Sequence, residues 1–266
     1  MKCVSWTLVV LLALLLARTW SAVSGYDVVA DVHPSRAGLE PDLSHLLGTD
    51  ALGRDVFCRL MRATDAFVVP GIGAAVVAVG LGGTLGTLAG WVGGWTDRTV
   101  SAAGGLPSTM PRFILVLLLA TIFSPSSLVL ALGCGLAFVP VVTTEVRVRV
   151  SDMRRKQFVI AGLMHGLSIT QVLGRHILWS TCRHVLARLA LQAAGFFVVV
   201  ETSLAYLGDI GVQEPIPSWG NMVASGLVDG RLHWVARLAP AVALWLVLAA
   251  LAQLERGLQN GEERVG

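Results

Sequence analysis

Three stretches of the chain carry no charge: Phe67–Gly90 (24 residues), Phe113–Thr144 (32) and Leu238–Leu254 (17). About 20 apolar residues in a helix cross the hydrocarbon core of a bilayer. The first and last runs therefore predict one crossing each, and the middle run holds one crossing and much of another. Two further apolar runs carry a single interruption: Val4 to about Val23, broken by Arg18, and Leu189–Leu207, broken by Glu201. The pattern predicts an all-α membrane protein with six transmembrane helices. They lie at about 4–23, 67–90, 99 or 111 to 123, 128–144, 189–207 and 236–254. Pro107 and Pro111 kink or delay the third, and the "SPSS" of residues 124–127 turns the chain into the fourth.

The polar intervals divide the chain. Residues 1–66 are a first helix followed by an extracytoplasmic loop too short to fold alone. Residues 67–254 are a five-helix core interrupted by a polar loop at 145–188, and 255–266 form a tail. Lys2 with the apolar run after it suits either a secretory signal, with "WSAVSG" as its cleavage region, or an uncleaved first helix. The later spans need no signal, which favours the retained helix. In the second span Gly82, Gly86 and Gly90 recur every fourth residue and line one helix face, the pattern of close helix packing.

Composition agrees. Charged residues make up 14%, against about 25% in soluble domains, and mean hydropathy is +0.72. The 20 basic residues orient the chain. With both termini in the cytoplasm, thirteen lie inside, eight of them within 147–188, and seven lie outside. That places 145–188 in the cytoplasm. No basic segment is interleaved with aromatics as a nucleic-acid groove requires. The four cysteines show no paired spacing, so no intrachain disulfide is expected. The six histidines form no H-x-x-x-H pair or Cys/His cluster, which argues against a zinc site. A P-loop needs Gly-Lys-Ser/Thr, yet the two lysines, Lys2 and Lys156, precede Cys3 and Gln157. Energy must come from another chain or from an ion gradient.

The cytoplasmic segment "QFVIAGLMHGLSITQVLGRHIL", 157–178, follows the most basic stretch of the protein. Its pattern predicts two short helices around a break at Gly166, the second capped by Ser168. Such helices either rest on the membrane surface or dock into a groove on a soluble partner. The segment resembles the coupling loop of ABC-importer permeases, an EAA-xxx-Gly pattern followed by a hydrophobic I-x-L-P ending. Ala161 and Gly162 stand at the alanine positions, Gly166 at the glycine, and Ile177 and Leu178 at the downstream hydrophobes. Ile160 replaces the glutamate and Trp179 the proline. Two more stretches are similar to the second permease subunit of dipeptide, oligopeptide and nickel importers. "HLLGTDALGRDVFCRL", 45–60, resembles H-x-LGTD-xx-GRD-xxx-RL. "ETSLAYLGDIGVQEPIPSWGNM", 201–222, resembles E-xx-LSFLG-x-GVQPP-x-PSWGNM, with one extra residue around Asp209–Ile210. The resemblance covers roughly 45–255.

It implies the type I importer permease fold in a bacterial cytoplasmic membrane. It also implies partners: a second homologous permease, ATP-binding subunits that hold ATP and Mg, and an extracytoplasmic substrate-binding protein. The chain itself is expected to bind no cofactor and to catalyse no reaction. The resemblance makes Phe158, Ile160, Ala161, Gly162, Leu163, Gly166, Ile177 and Leu178 the coupling residues. With the glutamate absent, seating is expected to be apolar, through Phe158, Ile160 and Leu163. Glu201 is either a pathway or gate residue or an outer-end cap paired with Arg237 or a backbone group. Gly48, Thr49, Asp50, Gly53, Arg54 and Asp55 tie down their own loop or contact the binding protein. Pro217, Trp219, Gly220 and Asn221 form a rigid outer loop, with Trp219 at the membrane interface or against the partner permease. Dipeptides, oligopeptides and nickel chelates all remain open as cargo.

Overall fold

The computed structural model describes residues 2–23, 25, 27, 31–108, 110–123, 126–207, 211–212, 214–228 and 232–263. Most of them are helical, and an isolated β-bridge joins Thr49 and Asp55. In chain order the helices are α1 (Lys2–Val23), α2 (Val56–Arg62), α3 (Asp65–Val92), α4 (Gly94–Ser108), α5 (Arg112–Ile122), α6 (Ser127–Arg154), α7 (Gln157–Met164), α8 (Ile169–Gln171), α9 (Arg183–Leu207), α10 (Trp219–Val228) and α11 (Trp234–Glu263). A π-helical stretch, Val172–Cys182, joins α8 to α9.

Four helical stretches among the described residues are long and apolar enough to cross a membrane: Val56–Val92, Ser127–Arg154, Ile169–Leu207 and Trp234–Asn260. Arg112–Ile122 is apolar but short. The third predicted span is divided: α4 ends at Ser108 and α5 begins at Arg112, directly after Pro111. A proline at the first turn gives up no helical hydrogen bond. The "SPSS" turn and the Asp209–Ile210 insertion include residues outside the described ones.

One expectation is corrected. Residues 145–188 are not a loop, because α6 runs unbroken through the first ten of them. Val142, Val146 and Val150 are buried at four-residue spacing, so the apolar stripe continues beneath the charged positions and holds the helix together. Arg149 pairs with Glu145 one turn back. After α7 and the turn at Gly166, the chain is helical again from Ile169 into the next span.

The chain divides into two compact units. The first comprises Met1–Gly71, Ala120–Leu130 and Gly195–Leu254, and the second Ile72–Leu119, Ala131–Ala194 and Glu255–Gly266. In the second, the glycine ridge of α3 lies directly on α6. A Cβ at Gly82 would stand 2.5 Å from Val142 Cβ, at Gly86 2.6 Å from the Thr143 carbonyl, and at Gly90 2.6 Å from the Arg147 carbonyl. No side chain fits there. Partner numbers rise together along both helices, so α3 and α6 run parallel. The chain must therefore run back along their length between them, and α4 and α5 lie in that interval.

Candidate functional site

The segment α7–α8 belongs to the second unit. Its turn is a Schellman motif. The Leu167 N–H donates to the Gly162 carbonyl at 3.1 Å and the Gly166 N–H to the Leu163 carbonyl at 3.1 Å. Gly166 holds φ +87°, a conformation that L side chains adopt only with strain. A Cβ there would meet nothing within 4 Å, so the glycine answers to backbone angle and not to space. Gly162 is the reverse case. A Cβ would stand 3.1 Å from Leu167 Cδ1, because Leu167 folds back over it as the motif's apolar contact.

Ser168 then restarts the helix with a reciprocal capping box. Its hydroxyl accepts from the Gln171 N–H at 3.2 Å, and its own N–H donates to Gln171 Oε1 at 3.1 Å. Val159 and Ile177 are buried in the chain and anchor the two arms. Phe158, Ile160, Leu163, Met164 and Leu167 are exposed, Met164 at 83%. Ala161 is exposed too, while Gly162 and Leu178 are half-buried. The turn thus presents a continuous apolar face and no acidic side chain. Trp179, at the position of the pattern's proline, is also exposed.

The outer-loop signature lies in the first unit and is tied internally. Gly48 and Gly53 hold φ +77° and +75°. A Cβ at Gly53 would fall 1.8 Å from the His33 carbonyl oxygen. Thr49 Oγ1 accepts from the Leu39 N–H at 2.8 Å and donates to the Arg36 carbonyl. Asp55 caps α2 by accepting from the Cys58 N–H at 2.9 Å, and its other oxygen meets His45 Nδ1 at 2.8 Å.

At the centre are two buried arginines that share two carboxylates. Asp50 receives Arg54 Nε at 2.7 Å and Arg59 Nη1 at 3.1 Å, while Glu214 receives Arg54 Nη1 at 2.8 Å and Arg59 Nη2 at 2.6 Å. Burial alone would lower the Arg54 guanidinium, but Asp50 and Glu214 more than offset it and hold it above its ordinary value. Arg59, 2% exposed, and Glu214 were not singled out from the sequence. Arg59 closes the quoted signature, so it was within view. Glu214 stands where the resembled pattern has proline, and 155 residues separate it from Arg59, a distance at which no local pattern points to pairing.

Trp219 requires a correction: it is not on a surface open to lipid or to a partner. It is 3% exposed inside its own unit, with its Nε1 donating to the Leu60 carbonyl at 3.1 Å and its ring centred 4.1 Å from that of Phe67. Ser218 and Asn221 form a second reciprocal cap, and Asn221 Nδ2 also holds the Ile216 carbonyl at 2.9 Å. Pro217 is buried. A Cβ at Gly220 would stand 2.6 Å from the Thr202 carbonyl, so α10 lies directly on α9. Glu201 is 1% exposed, and its Oε1 has no hydrogen-bond partner. Arg237 Nε donates to the Leu232 carbonyl at 3.0 Å. No group of three His, Cys, Asp or Glu side chains among the described residues is placed to hold a metal ion.

Apolar helices long enough to span a membrane, glycine-mediated helix contacts and an exposed apolar turn define a helical membrane protein. Residues 82–259 match the family model described as the binding-protein-dependent transport system inner membrane component. The chain belongs to this family.

Relatives agree with that membership. A probable peptide ABC transporter permease protein of Sinorhizobium fredii is 32% identical over 92% of this chain and 83% of its own length. A dipeptide transport system permease protein of Alkalihalophilus pseudofirmus is 26% identical over 95% and 83%. An oligopeptide transport system permease protein of Mycobacterium tuberculosis is 29% identical over 83% and 76%.

Proposed function

We propose that the chain is one of two homologous permease subunits of an ATP-driven importer. It passes dipeptides or similar small peptides across the bacterial cytoplasmic membrane. ATP and Mg are held by separate ATP-binding subunits, and cargo is delivered by an extracytoplasmic binding protein. The chain is a conduit and performs no chemistry of its own. It crosses the membrane six times, with α4 and α5 making one crossing together and both termini in the cytoplasm. The parallel run of α3 and α6 supports the return crossing.

The observation that carries this reading is the turn at 157–171. It is rigid by construction, with a Schellman stop, a positive-φ glycine and a reciprocal cap. It also leaves six large apolar side chains uncovered, Ile169 among them. A rigid apolar protrusion transmits force when it is seated in a groove of a moving partner. Phe158, Ile160 and Leu163 make the contact, Gly166 sets the angle between the arms, and buried Ile177 roots the lever in its own bundle. The names of the relatives favour peptides as cargo.

The test is purification from membranes with and without the ATP-binding subunits. Stable co-purification, lost on replacing Phe158 and Ile160 by serine, supports the reading. Transport by the isolated chain, driven by an ion gradient, overturns it.

A further inference from the structure

Within the second unit, three cavities follow one another along α4 and α6. An apolar one of about 460 Å³ is lined by Leu85, Leu115, Leu118, Leu119, Leu136 and Val139. It shares Val100, Gly104, Pro140 and Thr143 with a mixed one of about 330 Å³. That one shares Arg147 with a polar one of about 570 Å³, which Arg154, Arg155, Asp97 and Asp152 also line. From Leu136 to Arg155 the helix rises about 28 Å at 1.5 Å per residue, which is close to the thickness of a bilayer's hydrocarbon core. The crevice is graded along that length. Its apolar end lies within the uncharged run of α6, and its charged end begins where that run stops, at Thr144.

We propose that this crevice seats an anionic phospholipid, with acyl chain in the leucine-lined end and phosphate at the arginine end. Four observations match the parts of such a molecule. Charge is the first: three arginines meet three acids, Asp97, Asp152 and Glu145, and Glu145 is paired with Arg149, which does not line the crevice. Arg147 is held by Asp97 at 2.6 Å, and Arg154 caps the end of α3 through the Trp91 and Val92 carbonyls. Arg155 is exposed and forms no ion pair with a described residue, so it is the cation left for a phosphate. Basic pockets at the cytoplasmic ends of spans recognise anionic headgroups in this way.

The second observation is Thr143, whose buried hydroxyl has no hydrogen-bond partner and borders both the apolar and the mixed cavity. A glycerol ester carbonyl sits at that depth in a phospholipid and would accept from it. The third is aromatic. Trp95 is exposed near the arginine end, and Arg154 lies 5.9 Å from the Trp91 ring, the placement of indoles at a headgroup boundary. The fourth is the gradient itself. A polar peptide would leave the leucine-lined end unmatched, and a transmembrane helix of a partner would leave Arg155 and the Thr143 hydroxyl unmatched.

The full chain, purified from membranes with whatever subunits accompany it, tests the proposal. Native mass spectrometry after exchange into palmitoyl-oleoyl phosphatidylglycerol or the matching phosphatidylcholine should show retention of the anionic lipid by about tenfold. Arg155→Glu, a change at an exposed position, should abolish that preference, and Thr143→Val should weaken retention of both lipids. Equal retention of the two lipids by the unaltered chain overturns the proposal. So does inorganic phosphate raising thermal stability as far as phosphatidylglycerol does, which would mark a free-anion site. Efficient cross-linking of Gly105→Cys to a companion permease also overturns it, because protein would then cover the crevice. None of these readouts depends on ATP hydrolysis or cargo, so they stand or fall apart from the importer reading.

Discussion

The segment 31–62 and the turn at 157–171 are both shaped by glycine and both expose large apolar side chains, Leu43 and Met164 the most, yet they treat their charged and polar groups differently. In 31–62 the polar groups of the signature find side-chain partners, down to two arginines sharing two carboxylates. The turn at 157–171 has no such cluster and is held by caps on its backbone. The first arrangement ties distant parts of the chain together, while the second fixes only a local shape. The glycines differ for the same reason: Gly53 is required by both crowding and backbone angle, Gly166 by angle alone.

Substitutions can break this comparison, and the largest effect should come from the buried ion cluster. Arg59→Ala removes a side chain that is 2% exposed and leaves Asp50 and Glu214 sharing one arginine; with Glu214 at 43% exposure the loss should be about 2–3 kcal/mol. Thermal unfolding in detergent should show it, whereas Arg18→Ala, which removes an exposed partner of Asp65, should cost less than about 1 kcal/mol. Equal losses would mean that the cluster does not hold the loop. Gly53→Ala should follow at about 2 kcal/mol, since a Cβ drives the His33 backbone away and the residue must also keep a positive φ.

Gly166→Val should cost about 1–2 kcal/mol of local strain and a larger fraction of transport, because the arms of the turn change their angle. Stimulated ATP hydrolysis should persist while peptide uptake falls. Normal uptake by that variant would refute the lever. Ile160→Ser should leave stability within about 0.5 kcal/mol while weakening co-purification with the ATP-binding subunits, which isolates partner contact from folding.

The smallest effect concerns acid. The Ser44 hydroxyl and the His45 N–H hold the Asp42 carboxyl below its ordinary value of 3.8. Its contribution to the outer loop is therefore complete above that pH and is lost as pH falls through the lower folded value. Proteolysis of the loop should accelerate there, and Asp42→Asn should remove the dependence.

Much of this was legible in the sequence because it is local. The cap at Ser168, the stop at Gly166 and the packing face of Gly82, Gly86 and Gly90 each depend on residues within a few turns of one another. The extent of α6 was obscured because charged positions alternate with Val146, Val148 and Val150, hiding a stripe with helical period. Trp219 was misplaced because an indole suits an interface as well as a core, and its partners, Leu60 and Phe67, lie more than 150 residues away.

By itself the sequence determined membrane residence, the helices and the turn chemistry of 157–171, since hydrophobic length and backbone propensity act over short range. Only the tertiary structure decided that Glu214 completes the arginine cluster, that Trp219 is buried, and that α3 and α6 run parallel with their glycine ridge in contact. Each of those depends on which distant segments share a space too small for another side chain.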